Sequence, residues 1–200
     1  MHKATAAFIS IQTIKQNIGR VEEQLSSSAL AKAERFVREE DRLLSLGGSL
    51  LLEKFAGPLD KLKYGPDGKP CFDAGEGPFF NISHSVDMAG ILVSDEHEVG
   101  LDIEKIRPGF SDLQDFCLSE EERESGEDFL KLFTAKESLC KAIGTGLTDE
   151  IKTVPAIPLE GRIQYCNRIF YRNIIYKEGY YIFAAAAEDE FYITEAEINV

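Results

Sequence analysis

The chain has 200 residues, 44% of them hydrophobic and including 13 Phe and 7 Tyr, enough for one large domain or two small ones with a real core. Its 35 acidic residues against 22 basic ones leave a net charge of −13. That excess argues against nucleic acid and anionic membranes as partners, and any anionic ligand must be met by a metal or a local basic cluster.

Met1 to Gln12 lacks both the basic start and the apolar stretch of a secretory signal, and the longest apolar run, Tyr180 to Ala187, is far short of a membrane span. A soluble, cytoplasmic protein is expected. Ala6 to Gln12 reads as a short opening strand, and Ser26-Ser27-Ser28 supplies N-cap candidates for the helical region after it. Leu30, Ala33, Phe36, Val37, Leu43, Leu44, Gly47, Leu50, Leu51 and Phe55 recur at helical spacing, which predicts two helices or one bent helix, with Asp41 capping the second piece. Lys32, Arg35, Arg38 and Arg42 are the notable basic content of this region; beside Glu34, Glu39 and Glu40 they also fit a solvated helix face.

Gly57-Pro58 ends the helical region, and the turn-rich stretch from Tyr64 to Pro70 puts Lys69 on a tight loop. Phe79 to Ser85 and Ala89 to Ser94 read as strands. Ser83 and His84 are neighbours on the first of them, so they point to opposite faces and cannot pair as nucleophile and base. His2 and His97 look peripheral, which leaves histidine ligation of a metal with little support. Cys71, Cys117, Cys140 and Cys166 show no Cys-x-x-Cys spacing and read as buried or inert thiols rather than a zinc site or disulfide framework.

Val99 to Glu104 alternates Val99, Leu101 and Ile103 with Gly100, Asp102 and Glu104. In a strand the apolar set enters a core, while Asp102 and Glu104 share the other face about 6.6 Å apart. Two carboxylates at that separation can grip one hard cation, with Gly100 leaving open space beside them; a half-buried strand with a wet polar face is the plainer alternative. Ser119-Glu-Glu-Glu122 matches a capping box. The next helix is expected from about Asp128 to Ile143, with Phe129, Leu132, Phe133, Cys140 and Ile143 on its apolar face and Gly144 as its stop. Glu137 and Lys141 lie four apart on it, as in a surface ion pair, yet they flank apolar packing positions. Strand-like runs come next, at 162–175, 180–187 and 191–198. Helices followed by strands occur twice, which predicts an α+β protein of two similar halves, 1–97 and 98–200, with a site in the cleft between them.

Four stretches in order, Gly68-Lys69-Pro70, Phe80-Asn-Ile-Ser-His-Ser85, Val99-Gly-Leu-Asp-Ile-Glu104, and Phe133-Thr-Ala-Lys-Glu-Ser-Leu-Cys-Lys141 followed by Gly144-Thr-Gly-Leu147, resemble the 4′-phosphopantetheinyl transferases of the surfactin-synthetase-activating type. The resemblance covers about residues 30 to 147. It implies a pseudo-two-fold pair of α+β halves, acting as a monomer. The implied reaction transfers the phosphopantetheine arm of coenzyme A to a serine of an apo carrier protein of acyl, peptidyl or polyketide type and releases 3′,5′-ADP.

By the same resemblance Asp102, Glu104 and Glu137 hold Mg²⁺, and Asp102 takes part in binding the coenzyme A diphosphate. Lys141 faces the leaving phosphate, Ser83 and His84 contact the 3′-phosphoadenosine, Lys69 contacts the nucleotide, and Lys32 and Arg35 meet the 3′-phosphate. Arg42 is carried over at a shifted offset, and Lys136 is expected to be structural or to serve docking. Glu137 or a metal-bound water would take the serine proton. Phe133 stands where the family usually has Trp and Thr145 where it usually has a basic residue, which bears on packing and on carrier preference. The rival readings are a different Mg²⁺-dependent transferase using a nucleotide diphosphate, or a coenzyme A-binding or carrier-binding module without turnover.

Overall fold

Alternation along the acidic strand sorts the whole molecule into layers. The computed structural model describes residues 1–146 and 150–200. The first part of the chain forms β1 (His2–Ser10), α1 (Ile11–Gln16), α2 (Ile18–Glu23), α3 (Ser27–Ala33), α4 (Glu39–Phe55), β2 (Lys63–Tyr64), β3 (Pro70–Cys71), β4 (Phe79–Ser85) and β5 (Met88–Ser94). The second forms β6 (Val99–Lys105), α5 (Gln114–Cys117), α6 (Glu120–Glu124), α7 (Phe129–Ile143), β7 (Gly161–Tyr165), β8 (Arg168–Ile174), β9 (Tyr180–Ala187) and β10 (Phe191–Glu195).

Two sheets carry the architecture, one ordered β10-β1-β5-β4 and the other β6-β9-β8-β7, while β2 and β3 form a small hairpin. In each sheet the first strand runs antiparallel to the last of its three and the middle one lies beyond: β1-β5-β4 answers β6-β9-β8, with α4 and α7 as matching helices. The chain is thus an α+β protein with repeated topology. Strand β10, late in the sequence, returns to the first sheet and pairs parallel to β1, His2 opposite Phe191.

Strand side chains alternate between two faces, and each sheet buries apolar residues on both. One face of the first sheet, with Ala7, Ile9, Ala89 and Ile91, packs on Leu43, Leu46 and Leu50 of α4. One face of the second, with Phe170, Phe183 and Ala185, packs on Leu132, Ala135 and Leu139 of α7. The remaining faces meet each other through Ala4, Ala6 and Leu92 against Val99, Leu101, Ile103, Ile182 and Ala184. The layer order is α4, sheet, sheet, α7.

The expected helix from Asp128 starts with Asp128 as N-cap, its Oδ1 accepting from the N–H groups of Leu130 (2.9 Å) and Lys131 (3.2 Å). It stops at Gly144, φ 93°, a left-handed conformation that suits glycine. Ser26 caps α3 and Ser119 with Glu122 forms the capping box of α6.

Other expectations change. The opening strand ends at Ser10, whose hydroxyl accepts from Thr13 N–H at 3.1 Å and so starts α1. Arg38, not Asp41, occupies the N-cap of α4; Asp41 sits in its first turn, where its carboxylate faces the positive end of the helix dipole. The run 162–175 is a hairpin, turned by Cys166 and Asn167 at φ 51° and 58°. Cys117 and Cys140 are buried, but Cys71 and Cys166 are exposed. His2 is buried rather than peripheral, stacked on Phe191 with ring centroids 5.7 Å apart. Among the described residues no helix is long and apolar enough to cross a membrane. Leu147, which closes the Gly-Thr-Gly-Leu stretch, lies outside them.

Candidate active site at the junction of the sheets

Strands β4 and β6 are edges of different sheets, and side chains rather than a backbone ladder join them. On β4 the polar residues Asn81, Ser83 and Ser85 share one face. Their oxygens accept the backbone N–H groups of Leu101 (2.9 Å), Ile103 (3.2 Å) and Lys105 (3.1 Å) on β6. The other face of β4 serves α4, with Phe80 and Ile82 packed into its core. The two serines do more than close the seam. Ser83 Oγ donates to Asp102 Oδ1 at 3.1 Å, and Ser85 Oγ donates to Glu104 Oε2 at 2.8 Å.

Helix α7 lies across the acidic face of β6. Gly100 makes this possible, because a Cβ there would stand 2.1 Å from Ser138 O and 2.3 Å from Ala142 N. The space expected beside Gly100 is therefore filled by helix backbone, and that close approach brings Glu137 and Lys141 to Asp102. Lys141 Nζ donates to Asp102 Oδ1 at 2.5 Å and to Ser83 Oγ at 3.0 Å. The i,i+4 ion pair with Glu137 does not form; Lys141 bonds across to the strand instead. Ile82, Ser83, His84, Asp102, Glu104, Phe133, Glu137 and Lys141 line one cavity of about 240 Å³.

Burial dominates the electrostatics. Asp102 is 4% exposed, and burial raises its carboxyl pKa while the Lys141 charge and the Lys141 and Ser83 hydrogen bonds oppose that rise. Glu137 is pushed up to about 7, first by burial and then by the neighbouring Asp102 charge. Glu104 is raised by burial, with Ser85's hydrogen bond working against it. Burial lowers the His84 pKa, helped by the Lys141 charge and opposed by Asp41 at the start of α4. Three carboxyl groups thus crowd one lysine, and burial disfavours their charged forms.

Two oxygens in it are left over: Asp102 Oδ2 and Glu137 Oε1 are buried without a hydrogen-bond partner among the described residues. Such orphans are costly unless something else binds them. Hard carboxylate oxygens fit a cation such as Mg²⁺. Among the described residues no three His, Cys, Asp or Glu side chains form a ready metal-binding group. An ion here therefore needs oxygens from outside the protein, as Mg²⁺ usually does when it is held by one or two carboxylates plus substrate phosphates and water.

Of the residues singled out from sequence, Ser83, His84, Asp102, Glu104, Glu137 and Lys141 come together. Lys69 does not join them. Its Nζ donates to Val99 O and Ala142 O, each at 3.1 Å, and it lines a separate cavity of about 430 Å³ with Phe72, Phe79 and Phe80. Lys32 and Arg35 are exposed at the end of α3 and just beyond, and Arg42 pairs with Glu22 at 2.7 Å. None of these three lines either cavity. Lys136 is structural, fully buried against Glu122 at 2.7 Å. Sequence reasoning gave no role to Ser85 or Asn81. Their signal was the alternation Asn81, Ser83, Ser85, each placed 20 residues before the N–H group that it accepts.

Residues 98–187 match the family model described as the 4′-phosphopantetheinyl transferase superfamily. The chain is 35% identical over 154 residues to the 4′-phosphopantetheinyl transferase AcpT of Salmonella typhimurium, covering 72% of this chain and 79% of that protein. It is 32% identical over 160 residues to the 4′-phosphopantetheinyl transferase HetI of Nostoc, covering 67% of each. Over 63 residues, 32% of each chain, it is 49% identical to AcpT of Escherichia coli.

Proposed function

The chain belongs to the 4′-phosphopantetheinyl transferase superfamily, and on that premise we propose that it transfers the 4′-phosphopantetheine arm of coenzyme A to a serine of an apo carrier protein. The serine oxygen forms a bond to the phosphorus that carries the arm. The diphosphate bridge to that phosphorus breaks, 3′,5′-ADP leaves, and the serine proton passes to a base. The observation that carries this reading is the buried carboxylate cluster with two unpartnered oxygens beside Lys141.

Asp102, Glu104 and Glu137 would hold Mg²⁺ together with the coenzyme A diphosphate, closing on an ion for which the three do not stand ready by themselves; when bound, the ion would offset the diphosphate charge and orient it for in-line attack. Lys141 has an ammonium that can turn from Asp102 to a leaving phosphate oxygen. Glu137 lines the same cavity and is assigned to take up the serine proton, directly or through one water. His84 and Ser83 are assigned to the phosphoadenosine end. Lys69 is assigned to the nucleotide, and Lys32, Arg35 and Arg42 to the 3′-phosphate. For Lys69 the assignment requires release from its two backbone carbonyls, and for Arg42 release from Glu22.

We further assign the chain to the surfactin-synthetase-activating type, as a cytoplasmic monomer of two halves, 1–97 and 98–200. The repeated strand order within one chain supports the two-half organisation. The test is intact-mass spectrometry of apo carrier proteins incubated with coenzyme A and Mg²⁺. One added phosphopantetheine arm is expected on at least one of several acyl and peptidyl carriers. No gain on any of them would overturn the proposal. Asp102→Ala should abolish the gain while the circular dichroism spectrum is kept.

A further inference from the structure

Glu104 differs from its two companions in how it is held. Asp102 has Lys141 and Ser83, and Glu137 rides on a well-packed helix. Glu104 sits near the end of β6, half-buried, and among the described residues it has no ion-pair partner within 4.0 Å. What fixes it is one hydroxyl from the other sheet: Ser85 Oγ, donating to Glu104 Oε2 at 2.8 Å. That hydroxyl is itself aimed by the backbone, since it accepts from Lys105 N–H at 3.1 Å. Ser85 is 6% exposed, so water has little access to replace it. With one proton to give and one acceptor contact made, the hydroxyl has a defined direction, and that direction points at the carboxylate.

We propose that Ser85 is a positioning residue that orients Glu104 toward the cation, so that the metal affinity of a site borne by the second sheet is set by an edge strand of the first. The inference rests on the function proposed above. Partners that orient metal-binding carboxylates typically account for 10–100-fold in affinity, and a free glutamate rotamer beside an ion costs conformational entropy on binding. A purely structural serine would only hold the sheets together. Asn81 provides that control, because it makes the same seam contact, to Leu101 N–H at 2.9 Å, without touching a carboxylate.

The experiment is calorimetric titration of Mn²⁺ into the full chain with coenzyme A present, alongside thermal unfolding in chelator. Ser85→Ala is expected to weaken Mn²⁺ about 10-fold or more, and Ser85→Thr, which keeps the hydroxyl, to restore it. Asn81→Ala is expected to lower the unfolding temperature with Mn²⁺ affinity within about twofold of wild type. Unchanged affinity in Ser85→Ala, against a wild type that does bind Mn²⁺, overturns this inference alone. A wild-type chain that binds no Mn²⁺ overturns the functional reading beneath it as well. Equal loss in Ser85→Ala and Asn81→Ala also overturns it, because the seam rather than Ser85 would then be the cause.

Discussion

Helix α7 carries two lysines that each meet a buried carboxylate, and the two pairs are finished differently. Lys136 Nζ has Glu122 Oε2 at 2.7 Å and the carbonyls of Val154 (2.7 Å), Ile151 (3.2 Å) and Lys152 (3.3 Å). Glu122 also accepts from Ser119 N–H at 2.8 Å and Ala156 N–H at 2.7 Å. Nearby Arg172 donates to the carbonyls of Pro155, Ala156 and Pro158, tying the same segment. Among the described residues Lys141 has Asp102 and Ser83 alone, and the carboxylates around it keep two orphaned oxygens. The side chains of Lys136 and Lys141 are 0% and 26% exposed. A saturated pair serves the fold, while an unsaturated pair at a cavity keeps its capacity for a ligand.

The largest expected effect is on the saturated pair. Lys136→Met leaves Glu122 buried without its counter-charge, and loss of one partner from such a pair costs about 3–5 kcal/mol. Urea denaturation should show that loss. A midpoint equal to wild type would break the comparison. Lys141→Met should do the opposite, lowering the transfer rate by about 10²–10³-fold, as when a preorganised donor is removed, at a smaller cost in stability than Lys136→Met. A rate near wild type would place Lys141 with the structural lysines.

The acid side sharpens the contrast next. Glu137 stands raised from 4.5 to about 7, so between those values the folded chain binds a proton that the unfolded chain has released. That contribution to stability is complete below about pH 4.5 and is lost as pH rises through about 7. In chelator the protein should therefore lose on the order of 3 kcal/mol from this group between pH 5 and pH 8, and Glu137→Gln should flatten the profile. Asp102, also raised by burial, adds in the same direction. A stability that climbs over that range would contradict the electrostatics of the cluster. The smallest effect belongs to Ser119→Ala, which removes the hydroxyl of the capping box and leaves Glu122 on Lys136. About 1 kcal/mol is expected by thermal unfolding, with transfer unaffected.

Much of this was legible in sequence, for reasons particular to each element. Asp102 and Glu104 declared their common face by a period of two, and Glu137 with Lys141 theirs by a spacing of four. The stop at Gly144 and the box at Ser119 rest on local chemistry, which neighbouring residues reveal. Periodicity says which way a side chain points but not which edge strands meet, so the seam of Asn81, Ser83 and Ser85 stayed hidden. The path of β10 back to β1 was hidden for the same reason. Short α1 and α2 have too few turns to show a pattern. Gly100 misled, because a missing side chain signals close approach as readily as empty space, and here a helix fills it.

The parallel pairing of β10 with β1 bears on how the chain is made. On the ribosome β1, β4 and β5 emerge early, yet the face carrying Ala4, Ala6 and Leu92 has no cover until β6 and β9 emerge, and β1 gains its outer neighbour later still. Nascent chains held at that stage should present a bare apolar sheet to chaperones. Neither half is then a separable unit of inheritance or engineering, and splitting the gene near codon 97 should yield fragments that must find each other before either is soluble.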